Sequence, residues 1–290
     1  MSAPDRRWLE LTVRSAAGAD AASILAEALI LVGGQGVLEE DGACVTYFAE
    51  PDAPDPFVAD ILARVSAVTG FDDIQASTRW QNDEDWSATW KRGLGPRRVS
   101  ARIVVRPSWT PFNATVGDVV IVIDPGMAFG TAEHGTTRGC LRLLDRVIGE
   151  GDRVLDVGAG SGILTVAAAL LGAAQVVAME GDPMSREALE ENLRQNEVGD
   201  RTSVVSGWAD ADVIRSYGPL HGLMANIETS KLRPMLDGFR DVVSRGGWLI
   251  VSGILADEWT AFRMEVEARE FEFVELDADD EWVSGLLRRM

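Results

Sequence analysis

Residues 154–164 read Val154-Leu155-Asp156-Val157-Gly158-Ala159-Gly160-Ser161-Gly162-Ile163-Leu164. An apolar run with one acid near its end passes into three glycines at alternate positions, then returns to apolar residues. The pattern predicts a buried strand, a tight loop and the first turn of a helix. Glycine lets the backbone turn sharply and lets a ligand approach closely. The free amides at the start of the following helix face the same space. Gly158, Gly160 and Gly162 are therefore expected at a nucleoside cofactor. A dinucleotide loop reads G-x-G-x-x-G and cradles a pyrophosphate. Here the spacing is D-x-G-x-G-x-G, and Asp156 would repel a pyrophosphate while suiting a cation. That spacing points to S-adenosylmethionine (SAM). Plain turn punctuation is the competing reading of such a glycine run.

Strands and helices alternate after this loop. Gln175–Glu180, Thr202–Ser206, Leu223–Asn226 and Trp248–Ser252 read as strands. Helices are expected over Ile163–Leu171, Pro183–Asn196, Leu232–Val243 and Asp257–Arg269. Asp182 and Pro183 form a helix start. Phe271–Leu276 and Trp282–Leu287 are strands with no helix between them, so they must pair antiparallel. The expected fold is α/β, a Rossmann-like doubly wound sheet of seven strands closed by an antiparallel C-terminal hairpin, the class I methyltransferase architecture.

Upstream, Val99–Val105 and Asp118–Ile123 read as strands and Thr136–Val147 as a helix. Before these, Trp8–Val13, Ala19–Leu31, Val37–Glu40, Cys44–Phe48, Phe57–Val68 and Ile74–Thr78 give the order β-α-β-β-α-β, that of a small ferredoxin-like α+β domain. Domains are thus expected at 1–78 and 99–290. A connector at 79–98 would carry a short helix capped by Asp83, with Trp86 and Trp90 on one face.

Composition narrows the function classes. The net charge of −19 disfavours direct nucleic-acid binding and permits a basic protein partner, or serves solubility alone. No apolar run approaches a membrane span and the N-terminus lacks a signal-peptide core, so a cytoplasmic protein without a membrane partner is expected. Cys44 and Cys140 lie far apart, and with His134 and His221 the only histidines, no metal centre is expected.

Three further positions carry chemistry. Glu180 ends the strand after the glycine loop, where an acid accepts the ribose hydroxyls of a nucleoside; an ordinary surface glutamate is the alternative. Asn226 ends a later strand and is the expected catalytic residue, with a plain turn residue as the alternative. Its carbonyl would accept a hydrogen bond from an amine nucleophile or orient the cofactor's amino-acid part. Trp208 either stacks on adenine or belongs to the core.

A family resemblance rests on longer motifs. The run from Asp124 to Thr137 resembles D-P-G-x-A-F-G-T-G-T-H-P-T-T of the ribosomal protein L11 methyltransferases (PrmA). Asp156–Leu164 resembles that family's D-F-G-C-G-S-G-I-L. Ala225-Asn226-Ile227 is similar to A-N-I, Ser252–Leu255 to S-G-I-L, Pro107-Ser108-Trp109 to P-S-W, and Asp85-Trp86 with Trp90 to its D-W…W connector. The resemblance implies that Thr137, Gly158, Glu180 and Asn226 contact SAM, and that the 124–137 loop, including Phe129 and Thr131, forms a lid over it. It implies methylation of lysine side chains and of an N-terminal amine on ribosomal protein L11, with S-adenosylhomocysteine as product. It also implies a flexible connector that presents different amines, and a monomer is expected. The chain departs from the family at Ala132, Glu133 and Gly135 in the lid, at Glu180-Gly181-Asp182 for D-I-D, and at Glu228 after A-N-I. Glu228 and His134 are further candidates for a proton acceptor, with a surface acid and a loop-packing side chain as the competing readings. Two other readings remain: the same chemistry on another protein or small amine, and a SAM-binding module without catalysis.

Overall fold

The computed structural model describes residues 7–15, 21–34, 37–40, 42–51, 53–82, 95–124, 132 and 134–290. The chain divides into two units, Met1–Gly93 and Leu94–Met290.

The first unit runs β1 (Arg7–Arg14), α1 (Ala21–Leu31), β2 (Val37–Glu40), β3 (Ala43–Ala49), α2 (Pro54–Thr69) and β4 (Gln75–Asn82). Its sheet order is β2-β3-β1-β4 with every neighbouring pair antiparallel, the ferredoxin-like plan. The period-2 pattern of β1 sends Leu11 and Val13 to one face, against Leu25 and Leu29 of α1 and Ile61 and Val65 of α2. On the opposite face Glu10 accepts a hydrogen bond from Arg79 at 2.9 Å. β4 runs four residues past the expected end at Thr78. β1 offers it partners along its whole length, with Arg7 opposite Asn82. The expected connector helix, with Asp83, Trp86 and Trp90, lies outside the described residues.

The second unit opens with a three-stranded sheet, β5 (Arg97–Arg98), β6 (Ile103–Arg106) and β7 (Val119–Val122). The single strand expected over Val99–Val105 is interrupted. Ser100 accepts the Ile103 amide through its hydroxyl and bends the chain, so that only 103–106 remains extended. There follow α3 (Gly135–Val147), β8 (Arg153–Val157), α4 (Ile163–Leu170), β9 (Gln175–Glu180), α5 (Pro183–Gln195), β10 (Thr202–Ser206), α6 (Ala211–Arg215), β11 (Leu220–Asn226), α7 (Thr229–Leu232), α8 (Leu236–Val242), β12 (Val243–Leu255), α9 (Trp259–Glu267), β13 (Phe271–Asp279) and β14 (Trp282–Arg289). The seven-stranded sheet has the order β10-β9-β8-β11-β12-β14-β13. The first five strands are parallel, and the hairpin adds its two antiparallel. One apolar cluster covers each face. Strand order reverses between β8 and β11, and a ligand site is expected at the carboxyl ends of those strands.

The expected helix over Leu232–Val243 is split. Pro234 cannot donate to the preceding turn, and residues Arg233–Met235 form a 3-10 turn between α7 and α8. α6, not anticipated, is five residues long and is held by Asp210, whose carboxylate accepts the amides of Asp212 and Val213. α3 is fastened to β13 by a ladder. Arg138 pairs with Asp279, Arg142 with Asp277 and Asp279, and Arg146 with Glu275. Helical i+4 spacing meets strand i+2 spacing here, so successive arginines find successive acids. Both cysteines are buried thiols, and Cys44 donates to the Ala22 carbonyl.

Candidate active site

The carboxyl ends of β8, β9 and β11 open on a cavity of about 470 Å³. The glycine loop forms its floor. Gly158 takes a φ of 73°, and a Cβ there would stand 2.6 Å from the Ile227 side chain. The amides of Gly158 and Ala159 both donate to the Met179 carbonyl at 3.0 Å, which ties the loop to β9. Glu180 completes the tie: one carboxylate oxygen accepts the Gly160 amide at 2.8 Å and the other the Asp182 amide at 2.8 Å. Each oxygen keeps a further lone pair, and Glu180 lines the cavity wall.

Two residues of the opening motif stand behind the wall. Gly162 caps α4 with a φ of 80°, and a Cβ there would meet Leu189 of α5 at 2.2 Å. Its role in this structure is close helix packing, in place of the contact expected for it. Asp156 is 1% exposed and accepts a hydrogen bond from the Thr165 hydroxyl at 2.6 Å. Burial pushes its carboxyl up to about 7, the nearby Glu180 charge adds to the rise, and the Thr165 hydrogen bonds oppose it. Asp156 therefore sits as a buried acid under the loop, where the sequence placed it at the ligand.

Asn226, at the end of β11, faces the cavity. Its amide nitrogen donates to the Thr137 hydroxyl at 3.4 Å. Its Oδ1 is, among the described residues, the one buried side-chain polar atom with no hydrogen-bond partner. A buried acceptor left unpaired costs roughly 1–3 kcal/mol, so this oxygen is built for a donor brought by a ligand. Thr137 is fully buried behind Asn226 and aims it. Phe129, Thr131 and Glu133 lie outside the described residues. Ala132 keeps a φ of 63° where the family pattern has glycine, a conformation that an L side chain adopts at a cost of about 1–2 kcal/mol.

His134 caps α3: its Nδ1 stands 2.8 Å from the Thr136 hydroxyl and accepts the Thr136 amide, and its ring lies 5.1 Å from that of Trp282. Capping thus engages Nδ1, one of the two ring nitrogens. Trp208 is not core: it is 76% exposed and forms part of the cavity wall. It rests on Gly181, where a Cβ would come within 2.5 Å of its ring. The glycine in Glu180-Gly181-Asp182 thus has a physical cause, and that departure from D-I-D was the sequence signal for Trp208. At the mouth Glu228 pairs with Lys231 at 3.6 Å. Among the described residues no group of His, Cys, Asp and Glu converges as a metal site, and no helix is long and apolar enough to cross a membrane.

The donor set fits SAM. An unpaired acceptor waits for an N–H donor, an exposed aromatic face and apolar walls suit a base, and an acid lines the wall beside the glycine loop. Known proteins agree. The profile described as ribosomal protein L11 methyltransferase (PrmA) matches residues 7–289. A ribosomal protein L11 methyltransferase of Pelotomaculum thermopropionicum is 34% identical over 96% of this chain and 97% of its own length. One from Streptococcus pneumoniae strain JJA is 34% identical over 87% of this chain and 79% of its own. The solved structure of a ribosomal protein L11 methylase from Lactobacillus delbrueckii subsp. bulgaricus superposes with a TM-score of 0.61 at 25% identity, covering 68% of this chain and all of that one. The match of sequence along nearly the whole chain, and of fold over about two thirds of it, means that the chain belongs to the ribosomal protein L11 methyltransferase family, SAM-dependent methyltransferases of the class I fold.

Proposed function

We propose that the protein methylates ribosomal protein L11 on nitrogen, at lysine side chains and at the N-terminal amine. The observation that carries this reading is the unpaired, buried Oδ1 of Asn226 on the cavity wall. SAM supplies an electrophilic methyl group on a positive sulfonium. The chain's own residues then have to bind, orient and desolvate, without a covalent intermediate. Glu180 accepts the ribose hydroxyls, and Trp208 stacks on the adenine. Asn226 Oδ1 accepts an N–H of the incoming amine and so turns the nitrogen lone pair toward the methyl group. A lysine amine has a reference pKa of about 10.4 and must shed a proton to react. The apolar wall of Val157, Met179 and Ile227 favours the neutral amine. Glu228 at the mouth draws the cationic side chain in and takes the proton.

The β-α-β-β-α-β unit, whose last strand ends at Asn82, is read as the substrate-recognition domain, and the residues between that strand and β5 as its connector. The protein is read as a cytoplasmic monomer that binds no nucleic acid directly. Labelled SAM added to a lysate, with and without purified L11, tests the substrate: label on L11 amines supports the reading, and label on a different protein alone rejects it. Substituting Asn226→Ala should cut methyl transfer to L11 by about 10²–10³-fold, the scale of losing one preorganised hydrogen-bonding group. Unchanged turnover would remove Asn226 from the mechanism.

A further inference from the structure

The chain has 27 basic residues besides its two histidines, and only two of them, Lys91 and Lys231, are lysine. Lys231 lies in α7 and lines the same cavity as Asn226 and Glu228. Its Nζ stands 3.6 Å from a Glu228 oxygen, and its side chain is 57% exposed, so the amine is held at the mouth without being enclosed. Ion pairing alone does not account for a lysine here. An exposed i,i+3 pair contributes about 0–1 kcal/mol at most. Arginine makes such pairs at least as well, and this chain uses arginine almost everywhere else. Arginine does not offer what lysine does: an amine that becomes a nucleophile once neutral.

We propose that Lys231 is a self-methylation site, modified in cis by the cavity it lines. The inference rests on the amine-methylation reading above. Lys231 Nζ gives its proton to Glu228 or to water, and its lone pair forms the new C–N bond. The S–CH₃ bond breaks with its electron pair going to sulfur, and the sulfonium becomes the neutral thioether of S-adenosylhomocysteine. The product is a methylammonium on Lys231, with charge and atoms conserved.

Peptide mapping by mass of the full chain tests this, both as purified from cells and after incubation with SAM and L11 together. Methyl groups are expected on Lys231 and not on Lys91. Lys231→Arg should lose that mass and Lys91→Arg keep it. The rate per molecule should be unchanged on dilution of the protein, because the reaction is intramolecular. A second readout needs no turnover. Reductive methylation with a ¹³C label marks both lysines and the N-terminal amine, and addition of S-adenosylhomocysteine should shift the Lys231 resonance but not that of Lys91. An unmethylated Lys231 in a sample that has methylated L11 overturns the inference and leaves the function intact. So does a Lys231 resonance unmoved by S-adenosylhomocysteine that binds elsewhere in the spectrum. A rate per molecule that rises with concentration overturns the cis reaction. If L11 and Lys231 both stay unmethylated, the proposed function fails and this inference fails with it.

Discussion

Asp156 provides the sharpest test of how the glycine loop is built. Its carboxyl is 1% exposed and rises from 3.8 to about 7, with desolvation as the largest cause. Between those values the folded chain holds a proton that the unfolded chain has released. The stability this contributes is fully present below about pH 4 and is lost as pH rises through about 7. A difference of about 3 pKa units at 1.36 kcal/mol each gives a ceiling of about 4 kcal/mol, with a slope near 1.4 kcal/mol per pH unit in the middle of the window. Asp156→Asn keeps an oxygen for the Thr165 hydroxyl and removes the titration. Its new amide shifts stability by a constant, so the pH dependence is the readout. Hydrogen exchange of the buried β8 amides, measured from pH 4 to 8 in both proteins, reports this unit alone. The opening free energy of the parent should fall by about 2–4 kcal/mol relative to the variant across that range. Parallel curves would refute the buried-acid account.

Gly181→Val should push Trp208 off its seat and weaken S-adenosylhomocysteine binding by about 1–3 kcal/mol, the scale of one base–aromatic stack; calorimetry showing unchanged affinity would return Trp208 to a passive role. Arg142→Met leaves Asp277 and Asp279, both largely buried, short of a partner and should cost about 2–4 kcal/mol in urea denaturation. The Arg138 and Arg142 guanidinium groups hold the Asp279 carboxyl below its ordinary 3.8. The ladder's contribution is therefore complete above about pH 5 and is lost as pH falls below about 4, so the parent and Arg142→Met should converge in acid. Glu180→Gln should weaken S-adenosylhomocysteine binding and also loosen the loop, because the Gly160 and Asp182 amides lose a charged acceptor; exchange at the Gly160 amide should rise with the dissociation constant.

Much of the methyltransferase unit was legible along the chain. Gln175–Glu180 and Thr202–Ser206 were read with the bounds they have, and the C-terminal hairpin followed from the missing helix between its strands. Periodicity, helix starts and glycine turns are decided by neighbours within a few residues, so local sequence carries them. The elements whose bounds differ from the expected ones involve distant partners or turn chemistry. β4 extends past Thr78 because β1 pairs with it, and the strand expected from Val99 bends at Ser100.

The site divides the same way. Adjacent residues in Val154–Leu164 were enough to announce a strand, a cofactor loop and a helix, since glycine spacing acts through local backbone freedom. Which members of that motif reach the cavity was decided only by tertiary structure. Gly162 turns to Leu189, 27 positions on, and Asp156 turns to Thr165. Asn226 is aimed by Thr137, 89 residues away, and Trp208 is brought out of the core by the space above Gly181. Burial, orphaned hydrogen-bonding atoms and wall contacts exist only once the parallel strands have brought those distant residues side by side.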